Sequence, residues 1–169
     1  MSEKQTESGE SIEEQREWIA EQVDAVEKAT GSEGAWVDGW GDELDWDGDR
    51  DAILELAGEI QCSFDDDKPN PGALELHVNT RPLDEDPFPL ADRVKQLWTS
   101  EGWTVSDIVR IDDLPNRDEV SFKAERDDGA MLMLTATAAS GGRLLFLTVQ
   151  ASCSDHPSLA WGLRGASTQ

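Results

Sequence analysis

Residues 119–153 read EVSFKAERDDGAMLMLTATAASGGRLLFLTVQASC. Three runs rich in Val, Phe, Leu, Met and Thr are separated by Asp127-Asp128-Gly129 and by Ser140-Gly141-Gly142. Glycine in such breaks supplies the positive φ that tight hairpin turns need. The stretch therefore predicts an antiparallel meander with strands over 119–126, 130–138 and 143–153, the last ending at Cys153.

Working outward, Trp103–Ile111 alternates through Val105, Val109 and Ile111, although Ile108 breaks the strict period. Before it, Leu90, Val94, Leu97 and Trp98 share one helical face, so a helix is expected over 90–101, with Pro89 near its first turn and Gly102 just past its end. Ala73–Thr80 alternates Leu74, Leu76 and Val78 with Glu75, His77 and Asn79, the pattern of a half-buried strand. Ala52–Ile60 reads either as a helix or as a helical turn leading into a strand at 60–64, with Gly58 weakening a continuous helix. At the start, Ser11 precedes Glu14 by three positions, a capping-box spacing. Ile12, Ile19, Val23 and Val26 then form one stripe, and Gly31 stands as a stop signal, so a helix is expected over 12–29. In chain order this gives an α+β domain: a mainly antiparallel sheet of about four to six strands, with two or three helices packed on one face. Residues 1–11 read as a polar tether, 12–155 as one domain, and 156–169 as a loosely ordered tail.

The formal net charge is −23. It is unevenly spread: residues 1–90 hold 26 acidic and 6 basic side chains, whereas 91–169 hold 11 and 8. The meander half is thus nearly charge-balanced, and the first half repels phosphate backbones and anionic head groups. Nucleic acid and membrane surfaces are excluded as direct partners, while a basic protein partner is not. Twenty Asp against five Lys also fits an acidic surface tuned for high salt. No apolar run approaches the ~18 residues of a membrane span. Met1 is followed by SEKQTESGESIEEQ, polar throughout, so no signal peptide is read there.

The chain has two cysteines, Cys62 before the first clear strand and Cys153 at the end of the last. From position alone, both a disulfide and a pair of buried thiols remain open. A disulfide would close a long loop and place the protein in an oxidising compartment. The run Val94–Val105 (VKQLWTSEGWTV), followed by the meander and by Ala151-Ser152-Cys153-Ser154, resembles small actinobacterial lipoproteins or secreted proteins of unknown function over residues 60–155. In those proteins a helix ending in this Leu-Trp…Gly-Trp-x-Val pattern feeds an antiparallel sheet. The resemblance implies a Cys62–Cys153 bridge and an extracytoplasmic location. It also implies that a lipidated cysteine stands where Met1 does here, with the polar lead-in as its tether. It brings no activity.

Residues 32–51, SEGAWVDGWGDELDWDGDRD, follow no period of 2 or 3.6; a short strand around 35–38 is read there, and the remainder as a loop. Asp45, Asp47, Asp49 and Asp51 alternate as the ligands of a calcium loop do, making Ca²⁺ or Mg²⁺ the one cofactor class to consider. The EF-hand pattern fails, since its sixth and twelfth positions hold Arg50 and Leu56. Trp36, Trp40 and Trp46 lie in the same stretch. They form a binding surface if exposed, and an edge plug of the core if folded inward. Trp18, Trp98 and Trp103 read as core. His77 and His156 have no partner recognisable in sequence, and Ser154-Asp155-His156 matches a catalytic triad only as a string. No nucleophile elbow, phosphate loop or zinc spacing is present. The expectation is a monomeric, non-enzymatic, cell-surface or secreted domain that binds a protein or cell-wall component. The alternatives are a cytosolic acidic protein, of the immunity or nucleic-acid-mimic type, that occupies a basic partner, and a calcium-dependent module using residues 42–51.

Overall fold

The computed structural model describes residues 9–40, 43–64, 67, 70–109, 118–138 and 142–160. Chain order is α1 (Ile12–Thr30), β1 (Trp36–Asp38), α2 (Arg50–Leu54), β2 (Gly58–Gln61), β3 (Gly72–Thr80), α3 (Pro87–Ser100), β4 (Thr104–Val109), β5 (Glu119–Glu125), β6 (Met131–Thr137) and β7 (Leu144–Gln150). The class is α+β, as the patterning requires, with seven antiparallel strands in one sheet among the described residues. The sheet exceeds the expected size because two short strands, β1 and β2, lie end to end along one edge of β3. The rest runs β3-β7-β6-β5-β4.

The meander supplies β5, β6 and β7. Its covered face is set by register: Phe122 opposes Leu134, Leu134 opposes Leu147, and Leu147 opposes Val78 of β3. These residues are all buried, and each such side chain contributes roughly 1.5–3 kcal/mol of transfer free energy. α1 packs over β3 and β7, and α3 over β4 to β7. Trp98 of α3 meets Phe122 edge-on at 5.6 Å between ring centroids. α3 also carries the chain from β3 to the far edge of the sheet, where β4 starts.

Both principal helices are capped by the residues next to them. Ser11 accepts from the Glu14 N–H and Glu14 accepts from the Ser11 N–H, completing the expected capping box. α3 begins at Pro87, three residues before the expected start, because Asp86 caps it by accepting from the Phe88 N–H. Prolines 87 and 89 both fall in the first turn, where a missing N–H costs nothing. The irregularity at Ile108 is a β-bulge: Asp107 pairs with Phe122 and Val109 with Ser121, leaving Ile108 unpaired and half exposed. Ala52–Ile60 follows the second of its two readings, a short helix and then a strand, but the strand is β2 at Gly58–Gln61 and not 60–64, because it pairs with Gly72–Glu75 of β3.

Cys62 and Cys153 form a disulfide with 6.1 Å between Cα atoms, joining the end of β2 to the segment after β7. Both termini of the described chain depart from expectation. Residues 9–11 are held to the domain rather than free: Gly9 N–H donates to Asp155 and the Glu10 carbonyl accepts from Ser154. Residues 156–160, expected in a loose tail, form a turn that buries Leu159, with Ser158 accepting from the Ile12 N–H. Residues 1–8 and 161–169 lie outside the described residues.

Candidate functional site

The described residues of the aperiodic stretch 32–49 form two hairpin arms against the C-terminal half of α1. β1 supplies one arm. The other arm returns at Leu44–Trp46: the Asp38 N–H donates to the Leu44 carbonyl and the Trp46 N–H to the Trp36 carbonyl. Asp38 is buried and accepts from the Glu43 and Leu44 N–H groups, at 2.8 and 2.9 Å, which fixes the bend. Gly39 allows the hairpin to lie on β3, since a Cβ there would sit 2.7 Å from the His77 carbonyl oxygen.

Of the three tryptophans read either as a binding surface or as an edge plug, Trp36 and Trp46 are buried and take the inward reading, leaving the set of possible binding-surface residues. The reason is that each indole N–H finds a partner inside. Trp36 donates to Ser32 Oγ at 2.9 Å, within a chain that continues to Thr30 at the end of α1. Trp46 donates to Asp24 Oδ1 at 2.9 Å, and Arg50, itself 2.7 Å from that oxygen, stacks over the Trp46 ring at 4.9 Å. Trp40, at the tip, stays 71% exposed.

The four alternating aspartates do not converge. Asp45 pairs with Arg81, Asp47 accepts from the Gly34 N–H, Asp49 accepts from the Asp45 N–H, and Asp51 lines the groove beside α2. Among the described residues no three His, Cys, Asp or Glu side chains assemble as metal ligands. The cation reading of 45–51 therefore has no geometric support; Asp42 lies outside the described residues.

Two features of this region have no simple sequence signal. One is Glu27, on α1 one turn beyond Val23. Only 6% of it is exposed, and its Oε2 atom is buried without a hydrogen-bond partner among the described residues. Burial, then the charge of Asp47 and a hydrogen bond with it, push its carboxyl up from the ordinary 4.5 to about 7, against the opposing Gly34 N–H. The other is an open groove of about 730 Å³ between α1 and α2. Glu13, Glu17, Glu21 and Asp24 line it from α1, at successive helical turns, and Asp51 and Glu55 line it from the other side. Arg50 is engaged by Asp24, and the Nε of Arg16 is buried without a partner among the described residues. Ala20 and Leu54 form an apolar floor.

The histidines have partners that the sequence did not suggest. His77 lies between Glu75 and Thr148 on the uncovered face of the sheet, and the Glu75 hydrogen bond raises its pKa despite partial burial. The His156 ring meets Ser158, and Ser154 Oγ receives the His156 backbone N–H rather than the imidazole, so the triad string is a turn. No helix among the described residues is long and apolar enough to cross a membrane. No family model matches the chain, and no curated protein or solved structure is significantly similar to it.

Proposed function

We propose that the chain is a non-enzymatic binding domain of an oxidising, extracytoplasmic compartment, and that it takes a basic protein segment in the groove between α1 and α2. The observation that carries this is the groove itself: six carboxylates against two arginines around a short apolar floor. Such a surface attracts Lys- and Arg-bearing segments over about a Debye length and leaves room for an aliphatic stem on Ala20 and Leu54. The Cys62–Cys153 bridge supports the compartment, because disulfides persist where thiols are not kept reduced. The resemblance to secreted and lipid-anchored actinobacterial proteins points the same way. An anchor at the start of the chain would hold the domain at the cell surface.

The test is calorimetric titration with an arginine-rich peptide at about 50 mM and about 500 mM salt. Binding that weakens steeply with salt, and is lost in Glu17→Lys/Glu21→Lys, supports the reading; equal binding by the variant, or none at low salt, refutes it. A second reading, capture of a cell-wall glycan, rests on Trp40 alone, 71% exposed on a braced hairpin where a sugar ring can stack. It requires glycan fragments to quench tryptophan fluorescence in the native protein and to leave that of Trp40→Ala unchanged.

A further inference from the structure

We propose that Glu27 and Asp47 form a proton-operated latch, which closes the Trp-bearing hairpin on the end of α1 while one proton is shared and releases it when that proton leaves. Geometry sets the device. Glu27 is almost wholly buried, its Oε2 without a hydrogen-bond partner among the described residues, whereas Asp47, on the returning arm, is exposed and so remains the charged member. A protonated Glu27 donates to the Asp47 carboxylate, and Asp47 in turn holds the Gly34 N–H at 2.9 Å, tying both arms to the helix.

The Gly34 N–H favours the ionised form of Glu27, but no cation is aligned to neutralise it. Asp24, from its own helix, adds a second negative charge. Arg50, the cation nearest that cluster, is spent on Asp24 and the Trp46 ring. Lys28, next along α1, points to solvent, and Arg81 is paired with Asp45. The negative end of the α1 dipole lies within a turn. An ionised Glu27 can then be hydrated only if Asp47 and its arm move aside. The affected arm carries Trp46, whose indole reports on the closed state, and the tip carries Trp40, whose presentation changes with it.

The experiment follows the Trp46 indole N–H resonance and the Glu27 side-chain carboxyl ¹³C shift of the whole protein between about pH 5.5 and about pH 8.5. Both are expected to titrate together with a midpoint near the value of about 7 set by burial and Asp47. In Glu27→Gln the indole resonance should stay at its low-pH position throughout, and in Asp47→Asn the midpoint should move to lower pH. Glu75 holds the His77 imidazole above its ordinary pKa and the His77 carbonyl accepts from Gly39, so His77→Gln, which keeps that backbone contact, must leave the midpoint in place. A Glu27 carboxyl that titrates in the ordinary carboxylate range overturns the proposal. So does an indole titration equal in wild type and Glu27→Gln. Because the ¹³C and indole titrations are both recorded on the wild type, different midpoints for the two also overturn the proposal, even where a variant fails to fold.

Discussion

Removing the disulfide is the perturbation whose cost can be worked most directly. Cys62 and Cys153 are 91 residues apart in sequence, and restricting a loop of that length in the unfolded chain corresponds to about 4.6 kcal/mol in the chain-entropy model. The folded side needs little strain relief, because a Cα separation of 6.1 Å lies inside the usual range for a bridge. Nor does the site fall apart without the bond. The Cys62 N–H donates to the Pro71 carbonyl, and Gly72 and Ser154 exchange two backbone hydrogen bonds of 2.8 Å beside it. Cys62→Ser/Cys153→Ser should therefore fold to the same sheet and lose stability mainly through its freer unfolded state. At about 2–4 °C per kcal/mol for a chain of this size, Tm should fall by about 10–15 °C in scanning calorimetry. Adding reductant to the wild type should reproduce that fall. A loss below about 3 °C, with the sheet intact by circular dichroism, would refute the reasoning that the bridge acts on the unfolded chain.

Further expectations concern single side chains. Gln15 is fully buried, donates to the Ser152 carbonyl at 2.7 Å and accepts from the Leu74 N–H at 2.8 Å, so Gln15→Leu strands two buried backbone groups. It should cost about 2–4 kcal/mol in urea unfolding, where a plain helix-face position would gain from leucine. Trp46→Phe leaves Asp24 with one donor fewer and should cost about 1–3 kcal/mol, while Trp40→Ala should leave the melting curve unchanged. Glu27 sets a pH dependence of definite sign. Between 4.5 and about 7 the folded protein keeps a proton that the unfolded chain has released. Stability therefore falls as pH rises through that window, by at most about 3 kcal/mol and by less once solvent reaches Asp47. Urea melts of Glu27→Gln should lack this fall and exceed wild type above neutrality; parallel curves for the two proteins would count against it.

What could be read from the sequence was whatever repeats along one element. The meander, the Leu74/Leu76/Val78 strand and the Ser11–Glu14 box are local patterns, and each appears where local physics puts it. Even the failure of alternation at Ile108 was informative, since it marks the bulge of β4. Gln15 shows the limit. It fills the gap between Ile12 and Ile19 on the buried stripe, but its polar side chain hides a core position that serves backbone groups of β3 and of the segment after β7, far away in sequence. Residues 32–51, apart from the short strand around 35–38 that appears as β1, were illegible for a related reason. Their burial is decided by contacts with Asp24 of α1 and with Ser32 just past its end, which receive the indole N–H groups, and no period can encode that. The same stretch suggested an aspartate cation loop because spacing alone says nothing about what each carboxylate already holds. The groove depends on how α2 sits beside α1, so the carboxylates of Glu13, Glu17 and Glu21 read in sequence only as a solvated helix face.

The central claim is that recognition runs through that groove. Amide chemical-shift mapping of the oxidised protein with an arginine-rich peptide at low salt tests it most directly. The account predicts shifts concentrated at Glu13, Glu17, Glu21, Asp51 and Glu55, fading together as salt is raised. Shifts spread evenly over the acidic surface, or centred on the uncovered sheet face around His77 and Phe146, would contradict it.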